Sequence, residues 1–95
     1  MTNFIYSEEK NELLKIKRKI SFEDIILCIE EKKVLDIVEH PNKDVYPGQY
    51  PLIIEYNNYA YYVPIVIKEE QIILKTIIPS RKFTKKYLKG DEANG

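Results

Sequence analysis

The chain has 95 residues, 44% of them hydrophobic and 12% aromatic, enough apolar material for one core and not for two, so a single domain over 1–89 is expected. Its 15 basic and 15 acidic residues cancel, which excludes a molecule drawn as a whole to nucleic acid and leaves only local attraction. One Cys and one His exclude an intramolecular disulfide and a four-ligand zinc site.

Asn3 to Tyr6 reads as a short strand. Ser7 followed by Glu8 and Glu9 predicts a helix N-cap with acids in the first turn, where they complement the positive end of the helix dipole. That helix is expected to reach about Lys17, with Leu13, Leu14 and Ile16 as its apolar contribution and Lys10, Lys15 and Lys17 solvated. Ser21 with Asp24 three residues on resembles a capping box and starts a second helix over about 22–31. Phe22, Ile25, Ile26 and Ile29 fall at helical spacing and form its core face, and Cys28 in the same run is a packing residue.

The period then changes to two. Val34–Glu39 alternates and is rich in β-branched side chains, and a polar loop follows from His40 to Gln49. Tyr50–Tyr56 and Tyr59–Ile67 are two further strands, separated by Asn57-Asn58, which tolerate the positive φ of a tight hairpin turn. Glu69-Glu70 separates them from a last strand over Ile72–Ile78. These strands are expected to form an antiparallel meander, with a bulge or an edge at Pro64 because proline cannot donate to the ladder. A short N-terminal strand, two helices and then a four-stranded antiparallel sheet make an α+β fold. Residues 90–95 are expected to be a disordered tail. Tyr56, Tyr59, Tyr61 and Tyr62 cluster about the hairpin, and alternation sends Tyr61 and Tyr62 to opposite faces, so packing is favoured over a base-stacking platform.

Charge is polarised along the chain. Lys75, Arg81, Lys82, Lys85, Lys86 and Lys89 occur in 75–89 without an acidic residue, whereas Glu23, Asp24, Glu30, Glu31, Asp36 and Glu39 dominate 21–39. A basic, Tyr-bearing segment at a strand end suits an anion site, its plainer reading being a solvated tail. No signal-peptide pattern opens the chain and no apolar run reaches about 18 residues, so a cytoplasmic protein is expected.

Three stretches carry a resemblance. Phe4-Ile5-Tyr6-Ser7-Glu8-Glu9-Lys10 is similar to F-x-W-D-x-x-K, Lys17-Arg18-Lys19-Ile20-Ser21-Phe22-Glu23-Asp24 to K-H-G-V-S-F-E-E, and Ile77-Ile78-Pro79-Ser80-Arg81-Lys82-Phe83-Thr84 to I-I-S-A-R-x-A-T. In this order and spacing the chain resembles the BrnT family of toxins from bacterial type II toxin–antitoxin pairs, small ribonucleases of the RelE/ParE-like superfamily. Arg18 stands at the family's His, Lys19 at its Gly, Thr76 at an Arg and Pro79 at a Ser, while Tyr87 stands where a Glu would follow.

The resemblance implies an endoribonuclease acting on messenger RNA without metal or cofactor, silenced by a cognate antitoxin protein. Such a reaction needs a base at the 2′-hydroxyl, cations on the developing phosphorane charge and an acid at the 5′-oxygen. Arg81, matching the family Arg, is the candidate for phosphate stabilisation, with Arg18 and Lys75 behind it. His40 has the one side chain with an ordinary pKa near neutrality, and Tyr87 is a candidate proton donor or stacking group. Lys82, Lys85 and Lys86 are candidate RNA-binding residues. A non-catalytic binding module of the same fold and a small interaction domain remain open beside this expectation.

Overall fold

The computed structural model describes residues 3–38 and 48–88; His40 and the segment 90–95 lie outside them. The first helix, α1 (Glu8–Arg18), begins at Ser7, whose Oγ accepts the Lys10 N–H at 3.1 Å, and closes on Lys19 in the left-handed region at φ 56°. α2 (Phe22–Glu30) starts with the full capping box: Ser21 Oγ accepts from the Asp24 N–H at 3.1 Å, and Asp24 Oδ2 accepts from the Ser21 N–H at 2.9 Å. Asp is thus long enough to serve in place of Glu or Gln.

The meander is present, but it is creased. β2 (Val34–Ile37), β3 (Leu52–Tyr56), β4 (Tyr59–Val63) and β7 (Ile78–Pro79) form one antiparallel sheet in that order. β5 (Ile65–Lys68) and β6 (Gln71–Leu74) form another with β1 (Asn3–Ile5), which runs parallel to β6 with Asn3 opposite Gln71. The expected strand 59–67 is therefore divided at Pro64, and the expected strand 72–78 at Lys75–Ile77.

Proline explains the division. The β3–β4 pairing of Leu52 with Val63 continues to the bridge of Gln49 with Val66, which sets Pro51 opposite Pro64. Both prolines turn their ring nitrogens outward, toward the neighbouring strands, where a ladder needs donors and has none. Only their carbonyls are used, Pro51 accepting from the Val38 N–H at 2.8 Å and Pro64 from the Lys75 N–H at 3.0 Å. Beyond Lys75 the pairing slips by one residue, since Ile65 faces Leu74 but Tyr62 faces Ile78. Gly48 completes the crease at φ +79°: its carbonyl accepts the Ile67 N–H at 2.8 Å, and a Cβ there would stand 2.9 Å from the Ile67 carbonyl oxygen.

The main core lies inside this fold. Phe22, Ile25 and Cys28 of α2 pack against Leu52, Ile54, Val63, Ile65, Leu74 and Ile77, with Ile26 and Ile29 at its margin. α1 contributes less than its sequence suggests: Leu14 is buried, but Leu13 is 47% and Ile16 75% exposed, and the second buried residue of α1 is Asn11.

The opposite face of the four-stranded sheet carries a smaller core. The row Asp36, Ile53, Tyr62 and Ile78 runs across it, and α3 (Arg81–Tyr87) lies over this row. Phe83 stacks on Tyr62 with centroids 6.3 Å apart, while Thr84 Oγ1 donates to the Ser80 carbonyl at 2.7 Å and accepts the buried Ala60 N–H at 2.8 Å. Tyr61, on the other face, meets Tyr56 edge to face at 6.1 Å. Among the described residues no helix is long and apolar enough to cross a membrane.

Candidate functional site

The one-residue slip at Lys75–Ile77 carries Lys75 and is met by Arg18. A bulge re-aims side chains and releases backbone groups from the ladder. The Ile77 carbonyl, just before β7, accepts a hydrogen bond from the Arg18 guanidinium, which fixes the end of α1 against the strand 59 residues later. Lys75 is exposed on the same segment. Four residues past Ile77, and so within about 14 Å of it by chain reach, Arg81 opens α3 with its side chain exposed.

Beside Arg18, a cleft of about 140 Å³ separates α1 from Thr76, lined by Lys10, Leu13, Leu14, Lys17 and Arg18. Among the described residues the one ion pair joins Lys15 to Glu12 at 3.0 Å, so Lys10, Lys17, Arg18, Lys75, Arg81, Lys82, Lys85 and Lys86 have no carboxylate partner there.

Lys82 and Lys86 are placed by aromatic rings. Lys82 Nζ stands 5.5 Å from the Phe83 centroid and Lys86 Nζ 5.2 Å from that of Tyr87, so the ammonium groups of these two exposed residues border the Tyr62–Phe83–Tyr87 ladder. Lys85 is exposed.

Tyr87 is drawn elsewhere. Its hydroxyl donates to the Asp36 carboxylate on β2, at the edge of the sheet opposite β7 and three strand spacings, about 14 Å, from it. That bond pulls the Asp36 carboxyl below its ordinary pKa and pushes the Tyr87 phenol above its own. The structure therefore ties Arg18 to the segment that carries Lys75 and leads in sequence to Arg81, sets Arg81, Lys82, Lys85 and Lys86 on α3, and commits the Tyr87 hydroxyl to Asp36 on the far edge strand. His40 lies outside the described residues.

In the sequence Asp36 reads as one of the acids of 21–39, since nothing local pairs it with Tyr87. Lys10 and Lys17 did leave a signal, a seven-residue spacing that puts both on one side of α1. A second hollow of about 440 Å³, bordered by Ile29, Val34, Ile37, Tyr50, Ile67 and Ile72, is wholly apolar and holds none of these groups. Among the described residues no cluster of three or more His, Cys, Asp or Glu is placed to hold a metal ion. In comparisons with known proteins, no family model matches the chain and no curated protein matches it.

Proposed function

We propose that this chain is the toxin of a type II toxin–antitoxin pair, a BrnT-like cytoplasmic endoribonuclease that cleaves messenger RNA without a metal. The observation that carries the reading is the Arg18–Ile77 hydrogen bond, which joins Lys17-Arg18-Lys19 to the segment ending in Arg81, two of the three stretches that bear the resemblance. The remaining stretch joins them too, for the Tyr6 ring packs 5.0 Å from that of Phe22. Lys19 adds support, since its left-handed backbone is what the family's Gly at that position would serve.

In this reading Arg81 grips the scissile phosphate through its guanidinium fork, with Arg18 and Lys75 neutralising charge as the 2′-hydroxyl attacks phosphorus. The bond to the 5′-oxygen breaks, leaving a 2′,3′-cyclic phosphate on one product and, with a proton taken up from solvent, a 5′-hydroxyl on the other. Arg18 stays protonated, so it binds phosphate and accepts no proton; His40 is the candidate base. A cognate antitoxin segment rich in acidic and apolar residues would cover Lys75, Arg81, Lys82, Lys85 and Lys86.

A non-catalytic RNA-binding module is the second reading. It is favoured by the commitment of Tyr87 to Asp36, which leaves the candidate proton donor engaged away from Arg18. The test is cleavage of RNA by the purified protein in the presence of a chelator, together with growth arrest on expression. Arg81→Ala should abolish both without moving the unfolding temperature, because an exposed Arg contributes little to stability. Undiminished cleavage by folded Arg81→Ala removes Arg81 from the mechanism, and no cleavage by the native chain leaves the binding reading.

A further inference from the structure

We infer that the cleft between α1 and Thr76 is an RNA-backbone subsite, in which Lys10 and Lys17 hold phosphates that lead toward Arg81. The inference rests on the RNA reading above and extends it to an element that reading does not use.

Charge is sorted around α1. Lys10 and Lys17 share one side of the helix, about 10 Å apart along its axis, and open onto the cleft with Arg18. Glu12 and Lys15 are paired with each other outside the cleft lining, and no carboxylate lines the cleft. Apart from Leu13 and Leu14 the lining offers only donors or a hydroxyl, which fits the acceptor oxygens of phosphate and the apolar face of a base.

Continuity selects a linear polyanion over a small one. The Arg18 guanidinium ties the cleft to Ile77, Lys75 lies two residues before it, and the chain then reaches Arg81, Lys82, Lys85 and Lys86 without passing a carboxylate. Cations without a carboxylate partner among the described residues thus stand on α1, on the bulge and on α3, more than one phosphate needs.

The experiment is binding of an end-labelled 2′-O-methyl oligouridylate, which lacks the attacking hydroxyl and is not cleaved, followed against salt concentration. Lys10→Gln with Lys17→Gln should weaken binding and make the log–log salt slope shallower by about 1.4, at about 0.7 per lost phosphate contact on a single strand. Gln keeps helix propensity, so the thermal transition should stay in place. Lys15→Gln, outside the cleft, should leave the slope unchanged.

An equal change with Lys15→Gln means diffuse attraction and overturns the subsite. So does a native slope in the folded double variant, and so does tighter binding of polyglutamate that the double variant loses, which gives the cleft to an acidic protein segment. If the native chain binds no oligouridylate even at low salt, both this inference and the RNA reading fall. If the double variant loses binding while no RNA is cleaved, the subsite stands and the nuclease falls alone.

Discussion

Asn11 Oδ1 accepts the Phe22 backbone N–H at 2.7 Å, so a side chain from the middle of α1 satisfies the first amide of α2. The same Asn11 donates through Nδ2 to Glu23 Oε1 at 2.7 Å. One fully buried amide group thereby ties the two helices together and lowers the Glu23 carboxyl below its ordinary pKa.

Asn11→Ala should cost about 1–3 kcal/mol, because the Phe22 N–H is left buried without an acceptor. Asn11→Asp keeps that acceptor but sets a second carboxylate against Glu23. Its unfolding temperature should be low at neutral pH and recover on mild acidification, since protonating either carboxyl removes the repulsion. A thermal melt series over pH that shows no recovery would place Asn11 elsewhere.

Lys19→Gly should stabilise the protein by about 1 kcal/mol, since a non-glycine residue in the left-handed region gives up roughly that amount. For a domain of this size the melting temperature should rise by roughly 4–8 °C. An unchanged or lower value would mean that the Lys19 side chain compensates for its backbone.

Thr84→Val is nearly isosteric and removes the hydroxyl that accepts the Ala60 N–H. A loss of about 1–3 kcal/mol is expected, with Thr84→Ser retaining most of the stability. Because Thr84 is the buried residue of α3, the same change should raise amide exchange across 81–87 more than across α2. Uniform exchange would show that α3 does not open separately.

Tyr87→Phe should return the Asp36 titration midpoint upward toward its ordinary value, as read by carbon-detected NMR, because the Tyr87 hydroxyl is the leading cause of its depression. Asp36 contributes stability that is present above the ordinary Asp range and is lost as pH falls through its lower folded value, and the variant should lack that contribution. Any RNA cleavage should survive Tyr87→Phe, since the hydroxyl is occupied by Asp36. Abolished cleavage by the folded variant would restore Tyr87 as the proton donor.

What was legible in the sequence was what local chemistry decides. Ser7, Ser21 and Asp24 are caps because their oxygens reach amides three residues away, and Asn57 and Asn58 turn at φ 51° and 62° because few other side chains tolerate it. Pro64 announced an interruption by its missing donor. What remained hidden depends on pairs far apart in sequence. Nothing near Pro64 says that Pro51 faces it, so the crease that divides the meander was beyond reach. Asn11 reads as a polar surface residue until α2 is laid beside it. The gathering of Arg18 with Ile77 was approached only through the resemblance, and the separation of Tyr87 not at all, because it follows from the direction in which α3 crosses the sheet.

The parallel pairing of Asn3 with Gln71 bears on how the chain is made. During synthesis the first strand leaves the ribosome with no partner, and α1 and α2 can lock through Asn11 long before one exists. β6 appears only after the β3–β4 hairpin and β5, so β1 waits while all of these are made. The beginning of the chain thus waits for a strand near its end, and a nascent polypeptide halted before Gln71 would hold its helices together while its first strand stayed without a partner.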